Sequence, residues 1–170
     1  MEFNVEVQNP ILVGAMQLFK AEDTPEHRKL FMNELAKARL MSPVFIDPEP
    51  TVSPEGKYVV EKGAKVVFPQ INTKDGKKFF VLYTDKNCMD KAIDVEGNPT
   101  PEMFRKNFAA LQLDEIGAMM LVPMPDGGVN PVEGVVLNPF DENIIVGKET
   151  AIGLFKHKVD VLKKSAEKPI

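Results

Sequence analysis

Hydrophobic residues recur at helical spacing near the start of the chain and predict two helices. Asn9 and Pro10 supply a helix N-cap and a first helical position, and this helix should run to about Lys20. Thr24-Pro25-Glu26 repeats the start signal, with an acidic residue in the first turn, where the helix dipole favours it. The apolar stripes expected to be buried are Ile11, Leu12, Ala15, Met16 and Phe19 in the first helix and Leu30, Phe31, Leu35 and Ala38 in the second. The pattern predicts an N-terminal helical hairpin.

Short apolar runs after this hairpin predict β-strands. Val44-Phe45-Ile46 is bounded by prolines, which suits a strand at the edge of a sheet or at its entry. Residues 66–71 and 78–83 flank Asp75-Gly76, a dipeptide that supplies the positive φ of a tight hairpin. Because residues 78–83 are nearly all apolar, this strand should be covered on both faces and lie inside its sheet.

The middle of the chain predicts further helices and one ambiguous segment. Asp85 can cap a helix that reaches about Ile93, and Thr100-Pro101-Glu102 carries a helix start that leads to Met103, Phe104 and Phe108. Residues 109–113 fit either a helix or a strand, and we favour a short strand followed by a helix that Asp114 caps. Residues 123–131 contain three prolines and two glycines, so they predict a loop.

Two β-branched runs joined by an Asn-Pro turn are the clearest feature of the last third of the chain. Residues 132–137 and 144–146 predict strands, and a final helix should begin at about Lys148. Its expected apolar face is Ala151, Ile152, Phe155, Val159 and Leu162. Together the elements predict an α+β fold in which residues 1–170 form one domain, with a mixed β-sheet covered by helices.

Composition and charge narrow the function classes. A chain of 170 residues with 44% apolar and 27% charged residues can bury one core without a disulfide or a cofactor. A net charge of −4 provides no general positive field for phosphates, so nucleic acid is not expected as a partner. The single cysteine, Cys88, fits a reducing compartment, and no apolar run approaches the roughly 20 residues of a membrane span. We therefore expect a cytoplasmic protein without membrane contact.

Candidate chemistry is sparse. Cys88 lies near the start of a predicted helix, which would lower the pKa of its thiol, but His27 and His157 form no nucleophile motif with it. An inert cysteine is the favoured interpretation. Asp85, Asp90, Asp94 and Glu96 come nearest to a metal site, yet they lack the ligand spacing of a calcium loop. The sequence predicts no catalytic residues, no metal and no cofactor.

Two motifs resemble those of a known family. Phe80-Val81-Leu82-Tyr83-Thr84-Asp85 is an apolar strand that ends in an aromatic, a hydroxyl and an acidic helix start. Gly134-Val135-Val136-Leu137-Asn138-Pro139-Phe140 is a Gly-apolar-apolar-apolar-Asn-Pro run. Both resemble the bacterial proteins that carry the SseB-type N-terminal domain, also called enhanced serine sensitivity proteins. The resemblance spans residues 25–155, although residues 94–131 hold no family landmark. It implies a compact α+β domain with no established catalytic activity.

The resemblance and the strand-end positions together predict a binding surface. Its residues are Tyr83, Thr84, Asp85, Asn138, Pro139 and Phe140. We expect a non-enzymatic interaction module in the cytoplasm whose partner is another protein. For the Asn138-Pro139 turn itself, a structural role is favoured over a binding role. The alternative is a small-molecule-binding protein or an unrecognised hydrolase, and a structural homodimer is a third interpretation.

Overall fold

The computed structural model of the protein describes residues 1–92 and 97–167. Its helices are α1 (Pro10–Ala21), α2 (Pro25–Lys37), α3 (Lys86–Asp90), α4 (Leu113–Met120) and α5 (Lys148–Ala166). Its strands are β1 (Glu2–Phe3), β2 (Leu40–Asp47), β3 (Thr51–Val52), β4 (Tyr58–Val59), β5 (Lys65–Val67), β6 (Gln70–Asn72), β7 (Lys78–Leu82), β8 (Asn107–Leu111), β9 (Val132–Leu137) and β10 (Ile144–Gly147). The protein is a single compact α+β domain, as the sequence predicts.

Within the described residues, the strands form two four-stranded sheets and a small β3–β4 hairpin. The first sheet has the order β1-β8-β2-β5 and is antiparallel. The second has the order β10-β9-β7-β6, and its central pair, β7 and β9, is parallel. This second sheet is the predicted mixed sheet. A backbone bridge joins the two sheets, because the N–H groups of Met41 and Tyr83 donate to each other's carbonyl oxygens at 2.8 and 2.7 Å.

The predicted hairpin around Asp75-Gly76 is present, but its first strand is shorter than expected. β6 and β7 pair antiparallel on either side of the turn, and Gly76 has a φ of 82°. Residues 66–71 divide at Pro69: β5 precedes this proline and pairs with β2 in the other sheet. Pro69 has no N–H group, so it ends one ladder before the other begins.

The expected edge strand around Val44 is wrong, because β2 lies inside the first sheet between β8 and β5. The sheet tolerates Pro43 because only Phe45, Ile46 and Asp47 pair with β5, while Pro43 lies opposite Phe108 of β8. The proline therefore meets a neighbouring strand on one side only.

The N-terminal helical hairpin is confirmed. Thr24 caps α2 by accepting a hydrogen bond from the His27 N–H at 3.1 Å, and the rings of Phe19 and Phe31 stack with centroids 5.2 Å apart. The buried stripes are narrower than predicted, since Ile11 is 68% exposed and Leu30 is also exposed.

The expected helix after Thr100 is wrong. Only a short 3-10 helix, Glu102–Phe104, forms there, and Met103 is exposed. Phe108 belongs to β8, where it is buried opposite β2. Pairing with a distant strand has overridden the local helix signal. The strand favoured for residues 109–113 is confirmed as β8, which begins and ends two residues earlier, so that Leu113 belongs to α4.

The predicted cap of α4 is wrong by two residues. Gln112 is the N-cap, and its N–H donates to the Glu115 carboxylate at 2.7 Å in a capping box. Asp114 lies inside the first turn, where its carboxylate accepts a hydrogen bond from Lys158 of α5 at 2.8 Å. The predicted helix after Asp85 is confirmed as α3, and its expected end at Ile93 lies outside the described residues.

The main core lies between the helices and the two sheets, and β7 separates it from a smaller core. Phe80 and Leu82 of β7 join the main core, while Val81 and the following Tyr83 join the smaller one. β7 is therefore covered on both faces, as predicted. In the parts of the chain that the structure describes, no helix is both long and apolar enough to cross a membrane.

Candidate functional site

The ends of β7 and β9 bring the two predicted segments together. The strands run parallel with Leu82 opposite Leu137, so the segments that follow them leave the sheet side by side at the carboxyl ends of the strands. The Asn138 N–H donates to the Leu82 carbonyl at 2.8 Å, which continues the pairing by one residue. Residues 83–85 and 138–140 consequently form one connected site.

The side chain of Asn138 clamps the two segments. It is fully buried, and its Oδ1 accepts from the Thr84 N–H at 2.9 Å. Its Nδ2 donates to Thr84 Oγ1 and to Glu142 Oε2, both at 2.9 Å. A buried amide bonded on both ends fixes the geometry of the strand ends. These contacts support the structural interpretation of the Asn138-Pro139 turn.

The turn after Asn138 has an unusual backbone. Asn138, Phe140 and Asn143 have φ values of 44°, 68° and 53°, in the left-handed region. Asparagine tolerates this region, but it costs other L-residues about 1–2 kcal/mol. The Asn138 carbonyl accepts from the N–H groups of Asp141 and Asn143 at 3.1 and 3.0 Å, which holds the turn closed. Phe140 is held in this conformation with its side chain exposed.

Asp85 is the predicted cap of α3 and performs that role. Its Oδ1 accepts from the Cys88 N–H at 2.9 Å, and its Oδ2 accepts from the Thr84 hydroxyl at 2.9 Å. The Asp85 carboxylate therefore occupies the start of α3, where it would repel an anionic ligand.

The environment of Cys88 opposes the lowering of the thiol pKa that the start of a helix would produce. Burial raises the pKa of its thiol to about 11, the Thr84 hydroxyl opposes this shift, and the Asp85 carboxylate adds to it. The lowered thiol pKa that a reactive Cys88 would need is therefore not found, and the raised pKa agrees with the favoured interpretation of an inert cysteine. Burial likewise raises the pKa of Tyr83 to about 12, with a smaller contribution from Cys88. Neither group is activated as a nucleophile at neutral pH.

A cleft of about 710 Å³ lies beside Asp85, between the start of α1 and α3. Its polar and charged lining includes Glu6, Gln8, Asn9, Gln17, Asp85, Lys86, Asn87 and Asp90. The side chain of Asn9 was expected to cap α1, but it makes no hydrogen bond to the start of that helix. Its Nδ2 instead donates to the carbonyl oxygens of Arg39 and Thr84 at 2.7 Å each, which ties α1 to both sheets. Sequence reasoning missed this role because a cap and a tertiary contact use the same residue type.

Among the described residues, no group of three or more His, Cys, Asp or Glu side chains could hold a metal ion. The run of acids predicted to come nearest to a metal site also contains Asp94 and Glu96. These two residues lie outside the described part of the chain.

The six predicted binding residues differ in exposure. Tyr83, Thr84, Asn138 and Pro139 are buried, Asp85 is half-buried and Phe140 is 53% exposed. The six predicted residues do not include the neighbouring Asp141, which is exposed, or Glu142, which is half-buried. The site therefore presents mainly Phe140 and nearby carboxylates to solvent, and binding there stays a prediction.

A comparison with protein-family profiles matches residues 12–146 to the SseB protein N-terminal domain. The chain belongs to this family. The match includes both motifs of the SseB domain and confirms the resemblance predicted from them. It begins inside α1 and ends in β10, so α5 follows the matched range. Comparisons with curated proteins and with solved structures found no match for the chain.

Proposed function

We propose that this SseB domain is a non-enzymatic interaction module of the cytoplasm and that its partner is another protein. The observation that carries the proposal is the exposed Phe140 at a φ of 68°. A strained residue persists only where its surroundings hold it, and such residues cluster at functional sites. The carbonyl of the buried Asn138 provides this support, because it accepts from the N–H groups of Asp141 and Asn143 and so closes the turn around Phe140. Aromatic side chains are also enriched among the residues that dominate binding energy at interfaces.

The charges around Phe140 indicate the chemistry of the partner. Asp141 is exposed, Glu142 and Asp85 are half-buried, and all three follow the two strand ends. The complementary partner surface would have an apolar pocket for the ring and a rim of lysine or arginine side chains.

The substitution Phe140→Gly tests this proposal. Glycine removes the ring and adopts positive φ without steric cost, so the free energy of unfolding should rise by about 1 kcal/mol. Capture of the partner from cell lysate, measured by quantitative mass spectrometry, should fall at least about tenfold. The matched control is Leu18→Ala in α1, which shortens another exposed apolar side chain. Alanine is used there because glycine would destabilise the helix.

An unchanged set of captured proteins with Phe140→Gly would overturn the proposed function. Substituting Asn138 and Asp85 is a poorer test, because both side chains hold backbone groups in place. Loss of capture by those variants could not be separated from loss of structure.

The cleft beside Asp85 favours a second candidate function, the binding of a small polar molecule. Its volume of about 710 Å³ falls in the range of ligand pockets. A thermal-shift screen tests it, since a ligand at 100 times its dissociation constant adds about 2.7 kcal/mol of stability. Gly14 lines the cleft, and open space surrounds the position that a Cβ atom would take there, so Gly14→Gln would narrow the cleft and remove the shift.

A further inference from the structure

The cleft beside Asp85 lies where the chain leaves the carboxyl end of β7. Asp85 follows this strand by three residues and lines one wall of the cleft, and residues 6–10 with α1 line the other. Asn9 joins the two walls, because its Nδ2 donates to the Thr84 carbonyl at 2.7 Å. In open sheets with parallel strands, ligands bind outside the carboxyl ends of the strands. The cleft therefore has the position of a ligand site as well as the size of one.

The α1 wall of the cleft contains a glycine that packing does not require. Gly14 lies in the middle of α1, and no atom lies within 4 Å of the position that its Cβ would take. A glycine inside a helix costs about 0.5–1 kcal/mol relative to alanine. At Gly117 the carbonyl oxygen of Ala151 explains the glycine, since it lies 2.1 Å from the Cβ position. At Gly14 the missing side chain provides open space in the cleft instead.

The charges that line the cleft are acidic on balance. Of the described residues that line it, three carry carboxylates, Glu6, Asp85 and Asp90, and Lys86 alone is basic. Lys86 forms an ion pair with Asp90, so these two charges offset each other. Glu6 makes no ion pair with any described residue, and the hydrogen bonds that Asp85 accepts come from uncharged groups. Two carboxylates, one on each wall, are therefore left without a basic partner.

The other lining residues supply hydrogen-bond acceptors and apolar surface. Four of them carry side-chain amides, whose oxygens accept from N–H donors: Gln8, Asn9, Gln17 and Asn87. Val7, Pro10 and Val13 add apolar surface on the α1 side. This lining matches a flexible molecule that carries ammonium groups at intervals along a hydrocarbon chain.

We propose that the cleft binds a linear aliphatic polyamine. One ammonium group would lie at Glu6 and another at Asp85, with the methylene groups between them against the apolar residues. The Asp85 carboxylate, which would repel an anion at this place, attracts a cation. The inference rests on the second candidate function above, the binding of a small polar molecule, and names the class of that molecule.

Spermidine, which carries three ammonium groups, is the probe, and two molecules of similar length provide the comparison. Triethylene glycol is uncharged, and suberate carries a carboxylate at each end. Isothermal titration calorimetry with the intact chain should show binding of spermidine, weakening as salt is added, and no comparable binding of the other two. Gly14→Gln should weaken the binding of spermidine, because its side chain enters the cleft.

Two substitutions remove the unpaired carboxylates without removing a structural contact. Glu6→Gln changes an exposed side chain, and Asp85→Asn keeps a residue that caps helices well. Each should weaken spermidine binding at least about fivefold, since each removes a charged hydrogen-bond partner. The matched control is Glu133→Gln, an exposed acid near the start of β9 and outside the cleft, which changes the net charge by the same amount. It should bind spermidine as wild type does.

Equal weakening by Glu6→Gln, Asp85→Asn and Glu133→Gln would overturn the proposal, because attraction to the net charge would then explain the binding. Binding of suberate or triethylene glycol as tight as that of spermidine would overturn the polyamine class and leave the small-molecule function standing. Absence of spermidine binding would also overturn the polyamine class. The small-molecule function itself fails only if, in addition, the thermal-shift screen finds no compound whose effect Gly14→Gln removes.

Discussion

Asn138 holds the ends of β7 and β9 together through one buried amide. Its Oδ1 and Nδ2 both bond Thr84, which lies 54 positions earlier in the chain. The backbone of Asn138 adopts a φ of 44°, which asparagine tolerates better than most residues. One residue type therefore satisfies two demands, a left-handed backbone and a buried donor and acceptor.

Asn138→Ala should lower the free energy of unfolding by about 2–4 kcal/mol. The substitution leaves the buried Thr84 N–H without its acceptor and places alanine at positive φ. Urea denaturation monitored by circular dichroism measures the change. Asn143→Ala is the matched control, because Asn143 also has positive φ but is exposed. Asn143→Ala should lower the free energy of unfolding by only about 1 kcal/mol, because it places alanine at positive φ but leaves no buried N–H group without an acceptor. Equal losses for the two variants would contradict the clamp role of the Asn138 amide.

Residue roles were predictable from the sequence where the partner is local. Asp85 and Thr24 cap helices by bonding an N–H three residues later, and both roles are confirmed. The roles of Asn9 and Asp114 were mistaken for caps, because the groups that they bond, such as the Thr84 carbonyl and Lys158, are remote in sequence. No local pattern distinguishes a polar side chain used as a cap from one used to join two elements.

At the scale of elements, the close approach of α4 and α5 depends on Gly117. A Cβ atom at this position would lie 2.1 Å from the Ala151 carbonyl oxygen, far inside van der Waals contact. The approach also allows Lys158 of α5 to reach Asp114 of α4. The close packing of α5 against α4 therefore requires a glycine at position 117.

Gly117→Ala should lower the free energy of unfolding by about 3 kcal/mol or more, because the backbone of α5 must move to admit the methyl group. Gly153→Ala in α5 is the control, since no atom lies within 4 Å of its Cβ position. Alanine there should stabilise the helix by about 0.5–1 kcal/mol. Urea unfolding of both variants measures these changes of opposite sign. If Gly117→Ala left the free energy of unfolding unchanged, α4 and α5 could move apart without loss of stability, which would contradict the role given to Gly117.

At the scale of the whole molecule, the smaller core connects the two sheets. It contains Met41 of β2 and Phe108 of β8 from the first sheet, and Val81 of β7 from the second. Tyr83 belongs to the same cluster, and Cys88 packs against it partly buried. Both ionisable groups are held in their neutral forms by burial, so the junction of the sheets is sensitive to alkaline pH.

The stability of the whole domain should fall as the pH rises above about 8.5. An unfolded cysteine has a pKa of about 8.5, so the unfolded chain releases this proton first. The stabilisation is complete below that pH and is lost as the pH approaches the folded-state pKa of Cys88, about 11. Burial raises the pKa of Tyr83 to about 12, which extends the loss to higher pH.

Urea midpoints at about pH 7, 8.5 and 10, with reductant present, measure this dependence. Cys88→Ala should show a smaller fall between pH 8.5 and 10 than wild type does, because only Tyr83 of the pair remains. An identical fall in both proteins would contradict the assigned role of the thiol.

The sequence by itself determined the local elements of this protein and its family. The starts of α2 and α3, the turn at Gly76, and the strands on either side of the Asn-Pro turn depend on contacts within a few residues. The two motifs that indicated the SseB family lie in such local elements.

Only the tertiary structure decided which strands distant in sequence pair, and hence which side chains face solvent. The division of residues 66–71 between two sheets, the interior place of β2 and the strand at Phe108 all depend on partners far along the chain. Burial follows from that pairing, which is why Tyr83, Thr84 and Asn138 lie inside the site while Phe140 remains exposed. The spacing of apolar residues indicates which face of a strand or helix is buried, but contacts between distant parts of the chain decide which element covers that face.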